Sequence, residues 1–308
     1  MSFKIPLLII SFNRPELIYN QIKFLEELAP LKLYIFSDGP RAKINNDIDK
    51  IDKCRFLFKN KIKWECDKHF KFEKTNKGCG LGVSEAITWF FKNENEGIIL
   101  EDDCFLSKSF FPFAEAMLEK YRFDNSVAGI TADYKLSCSK TSKYGFIPFP
   151  LIWGWATWRR SWDGYSLNLK LFNKNKLSGY VKTLPKNQKK YWISNFEKIK
   201  NSNIPHTWDF QYSYLVMQRN QNFIHPFTNL VSNRGFNAEA THTKNPFDKF
   251  SNLELGLIKK PYEADMKNNE YANYLSNNLF LHRSFILKIF ILIKNWFRAI
   301  FINILQNG

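Results

Sequence analysis

Three consecutive acidic residues, Glu101, Asp102 and Asp103, directly follow the apolar run 97–100. Adjacent carboxylates repel one another, so such a cluster is costly unless a cation or hydrogen-bond donors neutralise it. Hard carboxylate oxygens suit Mg²⁺ or Mn²⁺, which keep coordination positions open for phosphate oxygens. An isolated acidic triplet is more often a solvated turn before a helix, but its position at the end of a predicted strand favours a metal site here.

Other polar residues stand where predicted strands end. Residues 5–10 and 32–36 are short, continuous apolar runs typical of strands buried on both faces, and residues 16–28 between them have helical spacing. In a βαβ unit, ligands bind beyond the carboxyl ends of the strands. We therefore expect the polar residues at these two ends to meet the acidic triplet at one edge of the sheet: Ser11, Asn13, Arg14, Ser37 and Asp38.

Two of these residues allow more than one interpretation. Arg14 could meet a phosphate group or could cap surface acids. Asp38 could accept a hydrogen bond from a base or a ribose hydroxyl, or could form a simple turn with Gly39 and Pro40. The glycine-rich stretch 76–82 supplies a flexible strand-to-helix turn, but it is not a Walker loop because no Gly-Lys-Ser/Thr follows.

The pattern up to residue 135 continues to alternate strands with helices. Further strands are predicted around 63–72, 97–103 and 126–131, with helices over 83–91 and 110–121. This alternation predicts an α/β fold, with a Rossmann-like mixed sheet flanked by helices. We divide the chain into a ligand-binding part at 1–135, an elaboration of the same domain at 136–245, a linker or helical extension at 246–283 and a terminal helix at 284–308.

The composition narrows the class of protein. A content of 44% hydrophobic and 24% charged residues in 308 excludes disorder and a polytopic membrane protein. The formal charge is +16, and segment 170–200 holds nine lysines and one glutamate. No nucleic-acid-binding module is recognisable, so nucleic acid is not expected as a partner. The charge and the 17% aromatic content instead indicate an anionic partner or a lipid surface.

The five cysteines are odd in number and lack C-x₂-C spacing, which indicates neither a disulfide framework nor a structural zinc site. The first fifteen residues carry too few apolar side chains for a signal peptide. Both observations predict a reduced, cytoplasmic protein.

Segment 284–308 predicts a helix with two different faces. Lys288, Lys294 and Arg298 share one side of a helical wheel, and a wide apolar face with Trp296 lies opposite. Three cations near the centre of a membrane span would each cost about 2.5 to 3.5 kcal/mol, so a crossing helix is disfavoured. The pattern favours a helix lying in the interface of an anionic membrane. A helix packed on the domain or in a dimer interface is the alternative, and the sequence indicates no oligomeric state.

Four segments together resemble the nucleotide-sugar domain of GT-A glycosyltransferases, in particular proteins similar to N-acetylglucosaminyltransferase I and bacterial haemolysin-like transferases. They are residues 11–15, 36–39, 76–82 and 100–103, and the resemblance extends over about 5–245. It implies that Asp103 binds Mn²⁺ or Mg²⁺ directly and that Asp102 lies near the ribose. Arg14 and Asp38 would hold the nucleotide, with Ser11, Asn13 and Lys77 as further donor contacts.

The second half resembles the same family in order. Trp155 looks like part of the segment that lines the sugar and acceptor pocket, although an aromatic core cluster is an equal alternative. Asp209 resembles the general base, with Asp133 and Glu239 in reserve. His242 would reach the metal or the diphosphate, although a lone histidine is more often structural.

The resemblance implies a metal-dependent glycosyltransferase that uses a nucleotide-sugar donor, with UDP as the default carrier. The acceptor would be a glycan or lipid-linked glycan of lipopolysaccharide type at the cytoplasmic membrane face, and a single displacement predicts inversion. Two alternatives stay open. One is a retaining transferase on the same fold, and the other is a non-catalytic basic protein that binds membranes or nucleic acid.

Overall fold

The computed structural model describes residues 3–236 and 248–280. Its first two strands, β1 (Leu7–Ser11) and β2 (Lys32–Ser37), pair in parallel and are joined by helix α1 (Pro15–Leu28). Residues 7–10 of β1 and 33–36 of β2 are apolar and buried, as expected for parallel strands covered on both faces. The predicted βαβ unit is therefore present.

The sheet grows from this unit in both directions. Helix α2 (Asn46–Lys61) leads to strand β3 (Asp67–Phe72), which pairs with β2. Helix α3 (Gly78–Asn93) leads back to strand β4 (Glu96–Glu101), which pairs with β1 on its other side. These four strands are all parallel, so their carboxyl ends meet at one edge, where Ile10 of β1 lies opposite Glu101 of β4.

The second half of the chain continues the same sheet. The further strands are β5 (Cys104–Leu106), β6 (Val127–Thr131), β7 (Lys140–Ile147), β8 (Trp155–Trp158), β9 (Asn222–Pro226), β10 (Val231–Asn233) and β11 (Leu257–Ala264). Strand β8 is antiparallel to both of its neighbours, β4 and β6, and β9 is parallel to β6. In the described residues the nine-stranded order is β11-β7-β9-β6-β8-β4-β1-β2-β3, with a separate pair of β10 and β5.

Helices cover both faces of this sheet. Neighbouring residues of β1 belong to different core clusters, Leu8 and Ile10 on one side and Leu7 and Ile9 on the other, because successive side chains of a strand point to opposite faces. The architecture is thus the predicted mixed α/β sheet between helical layers. The remaining helices are α4 (Phe110–Lys120), α5 (Arg159–Trp162), α6 (Gly179–Thr183), α7 (Lys186–Lys200), α8 (Asp209–Gln218) and α9 (Glu270–Asn278).

Two further segments form regular structure. Segment 246–283, predicted as a linker or helical extension, contains strand β11, which extends the sheet beside β7, and helix α9. The lysine-rich segment 170–200 forms α6 and α7, whose apolar residues Trp192 and Phe196 are buried in the core. The predicted terminal helix 284–308 lies outside the described residues. Of the helices that are described, none has the length and apolarity needed to cross a membrane.

Candidate functional site

A cavity of about 640 Å³ lies at the carboxyl ends of β1, β2 and β4. The volume is within the range of small-molecule sites. Its walls bring together residues from the predicted strand ends, the acidic triplet and the start of α8. The chemistry-bearing residues that line it are Ser11, Arg14, Asp38, Arg41, Asn76, Glu101, Asp102, Asp103, His206, Asp209 and Asn233.

Arg14 bridges two of the three acids. Its Nη1 atom lies 2.8 Å from Oδ1 of Asp102 and 2.7 Å from Oδ2 of Asp103. The backbone N–H of Phe12 donates to the other oxygen of Asp102 at 3.0 Å. Burial opposes the positive charge of Arg14, but the two carboxylates outweigh this effect and raise its pKa. Asp102 is thereby held between β1 and β4, and it is 4% exposed.

The pKa of Glu101 lies well above that of an ordinary carboxyl group. Burial, followed by the charges of Asp103 and Asp102, raises the pKa of Glu101 to about 8. The sequence pattern treats the three acids as one cluster. The structure separates a half-buried Glu101, an Asp102 held by Arg14 and Phe12, and an Asp103 at the cavity wall.

Asp103 lines the cavity, and it is the acid that the resemblance assigns to a divalent cation. The described part of the chain contains no group of three or more His, Cys, Asp or Glu side chains arranged for a metal ion. Mg²⁺ is commonly bound through one or two carboxylates together with substrate phosphates. The donor set therefore fits a cation shared between Asp103 and the phosphates of a ligand, and it does not fit a site made by protein ligands alone.

Asp38 holds the loop that begins α3. Its Oδ1 accepts hydrogen bonds from the N–H groups of Gly39 and Lys77, and its Oδ2 accepts from Asn76 Nδ2 and the N–H of Gly78, all at 2.8 to 3.0 Å. Burial raises the pKa of Asp38 although these backbone bonds oppose the shift. With two donors on each oxygen, the carboxylate fixes the loop and leaves little capacity for a ligand hydroxyl.

The same loop brings a helix N-terminus to the cavity. Gly78 and Cys79, the first residues of α3, line the wall, so the positive end of the helix dipole faces the site, where it favours anions such as phosphate. A side chain at Gly80 would collide with the carbonyl of Pro205, so the chain before α8 packs directly on this turn.

Three predicted donor contacts have other partners, and the described lining of the cavity does not include them. Asn13 donates to Asp47 at 2.8 Å, and Lys77 pairs with Glu73 at 3.1 Å as well as with Glu85. The third residue is Trp155, which packs against other aromatic rings.

Trp155 lies in the core, 1% exposed, with its ring 5.9 Å from that of Trp208 and nearly parallel to it. Strand β8 turns Trp155 towards α8, so Trp208 and Trp153 form the aromatic wall of the cavity instead. Ser11 does line the cavity, but its hydroxyl donates to the carbonyl of Phe36.

Arg41 is a cavity residue that the sequence reasoning missed. It forms two side-chain hydrogen bonds to Asp47, at 2.6 and 2.8 Å, and its guanidinium stacks over the Phe12 ring at 5.2 Å. Arg41 and then Asn13 lower the pKa of Asp47 to about 2, against the effect of its burial. Arg41 precedes helix α2, and Asp47 lies in the first turn of that helix. Because many positions of α2 are charged, the sequence shows no clear apolar periodicity there.

Asp209 occupies the first position of α8 and lines the cavity. The helix dipole stabilises the anionic form of a carboxylate at this position. Its charge contributes to the raised pKa of Glu101, which places the two acids within electrostatic reach.

The two reserve bases are placed differently. Asp133 pairs with Lys135 and accepts from the Tyr271 hydroxyl at 3.2 Å, and it is not among the described residues that line the cavity. Glu239 lies outside the described residues, as does His242.

The chain matches no protein-family model and no curated protein. Among solved structures, HddC from Yersinia pseudotuberculosis is similar over 52% of this chain and 80% of its own, with 12% identity and a TM-score of 0.31. A UDP-glucose pyrophosphorylase is similar over 76% of this chain and 93% of its own, with 10% identity and a TM-score of 0.36. Similarity at this level assigns no family, and the likeness to GT-A glycosyltransferases stays a prediction.

Proposed function

We propose that this chain is a metal-dependent glycosyltransferase that moves a sugar from a nucleoside-diphosphate donor to a hydroxyl group of a glycan or lipid-linked glycan. The observation that carries the proposal is the meeting of Asp103, Asp209 and the N-terminus of α3 in one cavity. A helix N-terminus and a carboxylate suited to a shared cation would together take a diphosphate, and a second carboxylate faces the same space.

The donor half of the cavity would bind the diphosphate. Arg14 and the first turn of α3 would contact its oxygens, and Asp103 would share the divalent cation with it. When bound, the cation would neutralise the charge that develops on the leaving diphosphate. We take UDP as the carrier, as the resemblance implies.

Asp209 would act on the acceptor. It would take the proton of the attacking hydroxyl group as the bond from that oxygen to the anomeric carbon forms and the bond to the diphosphate oxygen breaks. The products are a nucleoside diphosphate and a glycoside, with the proton on Asp209. A single in-line displacement inverts the anomeric configuration.

The acceptor would be presented at a membrane. We propose that segment 284–308 lies on the cytoplasmic face of an anionic bilayer, because its cationic residues share one side of a helical wheel and its apolar residues share the other. Vesicles that contain phosphatidylglycerol should sediment the full chain in low salt. A variant that ends at residue 283 should stay in the supernatant.

Nucleotide binding tests the enzyme directly. UDP, GDP and their sugar conjugates are compared by thermal shift with and without Mn²⁺, because a ligand that binds only the folded state raises the unfolding temperature. We expect a shift that requires both nucleotide and Mn²⁺, is lost in Asp103→Asn and is retained in Asp163→Asn, an exposed acid outside the cavity lining. A metal-independent shift, or one that survives Asp103→Asn, would refute the site.

A further inference from the structure

A second groove, of about 520 Å³, lies at the other edge of the sheet. It includes residues 220–222, which lead into β9, and Phe146 near the end of β7. Strand β9 is parallel to β6, which has the direction of β4, and β7 runs against β9 with Ile147 opposite Phe223. The start of β9 is therefore at the amino edge of the sheet, and the cavity with Asp103 is at the carboxyl edge.

Primary amides dominate the wall of this groove. An amide offers two N–H donors and a carbonyl acceptor without a net charge. The described lining contains no charged side chain, although the chain as a whole carries +16. The six amide residues are Asn220, Gln221, Asn222, Asn268, Asn269 and Asn273.

One of these amides carries an unsatisfied acceptor. Gln221 is 6% exposed, and its Nε2 donates to the carbonyl of Asn125 at 2.9 Å. Its Oε1 is buried and has no hydrogen-bond partner in the described structure. Burial of an acceptor without a partner costs about 1 to 3 kcal/mol, so the fold holds this amide in place at an energetic cost.

The rest of the wall is apolar and aromatic. Tyr180 of α6, which is half-buried, lines the groove together with Pro148 and Phe146. Flat apolar groups beside neutral donors and acceptors match a sugar ring, which has C–H faces and hydroxyl edges. Nucleotides and other phosphates would find no cation among the described lining residues, so they fit this groove poorly.

We propose that the groove is a binding site for a neutral oligosaccharide, separate from the cavity that contains Asp103. The inference stands on the chemistry of the lining and goes beyond the proposed transfer reaction. It applies whether or not the other cavity performs that reaction.

Two exposed amides allow a test that spares the core. Asn273→Ala removes one amide from α9. Asn220→Gly removes another, and glycine tolerates the positive φ of 53° at that position. Asn277→Ala, another exposed asparagine of α9 but outside the groove lining, is the matched control. Maltohexaose, chitohexaose and a β-1,4-galactohexaose are titrated by calorimetry into each full-length variant, and unfolding midpoints are measured alongside.

We expect at least one hexasaccharide to saturate the native chain. Each groove variant should raise its dissociation constant about fivefold, the effect of losing one good hydrogen bond, and Asn277→Ala should not. Saturating UDP and Mn²⁺ should leave the affinity unchanged. If Asn220→Gly lowers stability, Asn273→Ala alone decides. The proposal is overturned if no neutral hexasaccharide binds, if Asn273→Ala and Asn277→Ala behave alike, or if UDP displaces the sugar.

Discussion

Arg14 donates a 2.7 Å hydrogen bond to Asp103, although the two residues are 89 positions apart in the chain. The same nitrogen holds Asp102, so one guanidinium after β1 is shared by the two adjacent carboxylates that follow β4. A divalent cation at Asp103 would thus bind beside an existing positive charge. The ligand phosphates must supply the additional negative charge that makes this favourable, which couples metal affinity to nucleotide affinity.

Replacement of Arg14 should destabilise the fold. In Arg14→Met the buried Asp102 loses its partner, and we expect a loss of about 3 kcal/mol in the free energy of unfolding, measured with urea. Asp102→Asn in the same background should recover part of this loss. The control is Arg122→Met, since Arg122 pairs with Glu96 at the surface and should cost less than about 1 kcal/mol. Equal costs for the two arginines would contradict the structural role of Arg14.

Replacement of Asp209 should affect turnover, whereas replacement of Asp133 should affect stability. Asp209→Asn should lower turnover by about 10² to 10⁴, the usual contribution of a general base, while Mn²⁺-dependent nucleotide binding persists. Asp133→Asn should lower stability, because Lys135 loses its partner, yet retain turnover. Initial rates and thermal shifts on both variants distinguish the two residues. A product with retained anomeric configuration would exclude Asp209 as the base of a single displacement.

The Arg41–Asp47 pair should give the protein part of its stability above pH 4. The pKa of Asp47 is lowered to about 2 in the folded chain, so its contribution is complete above the unfolded pKa near 4 and is lost as the pH falls through 2. Urea unfolding between pH 5 and pH 2 should show this loss, on the order of 2 kcal/mol. Asp47→Asn should flatten the profile, whereas Asp49→Asn, an exposed acid of the same helix, should not.

Gly235 should be required for the position of Asp103. A methyl group at Gly235 would collide with the Asp103 carboxylate, which must then move. We expect Gly235→Ala to weaken Mn²⁺-dependent UDP binding about tenfold, as a misplaced metal ligand does. In an Asp103→Asn background the same change should have no further effect on UDP affinity. An additive loss in the double variant would show that Gly235 acts through another group.

Much of the carboxyl edge could be predicted from the sequence. Continuous apolar runs marked β1, β2 and β4, and their polar ends identified Arg14, Asp38 and Asp103 as cavity residues. This inference succeeded because parallel strands place their carboxyl ends together whatever the connections between them.

The partners of these side chains could not be predicted. Asn13 binds Asp47, and Asp38 binds the loop before α3, because long-range packing brings those groups close. For Trp155, the pattern could not say which of two faces it occupies, since alternation along β8 has meaning only once its pairing with β4 and β6 is known. Trp153 lines the cavity in its place.

Strand β4 has a hydrogen-bonded neighbour on each side, β1 and β8. The strand that carries the acidic end therefore cannot shift as a whole without breaking two ladders at once, whereas the facing wall, including Trp153 and residues 206–208, comes from connecting segments. A protein engineer could exchange those connecting segments to change the proposed acceptor and leave the acidic strand end untouched. The fold thus separates the part that must stay constant from the part that can be redesigned.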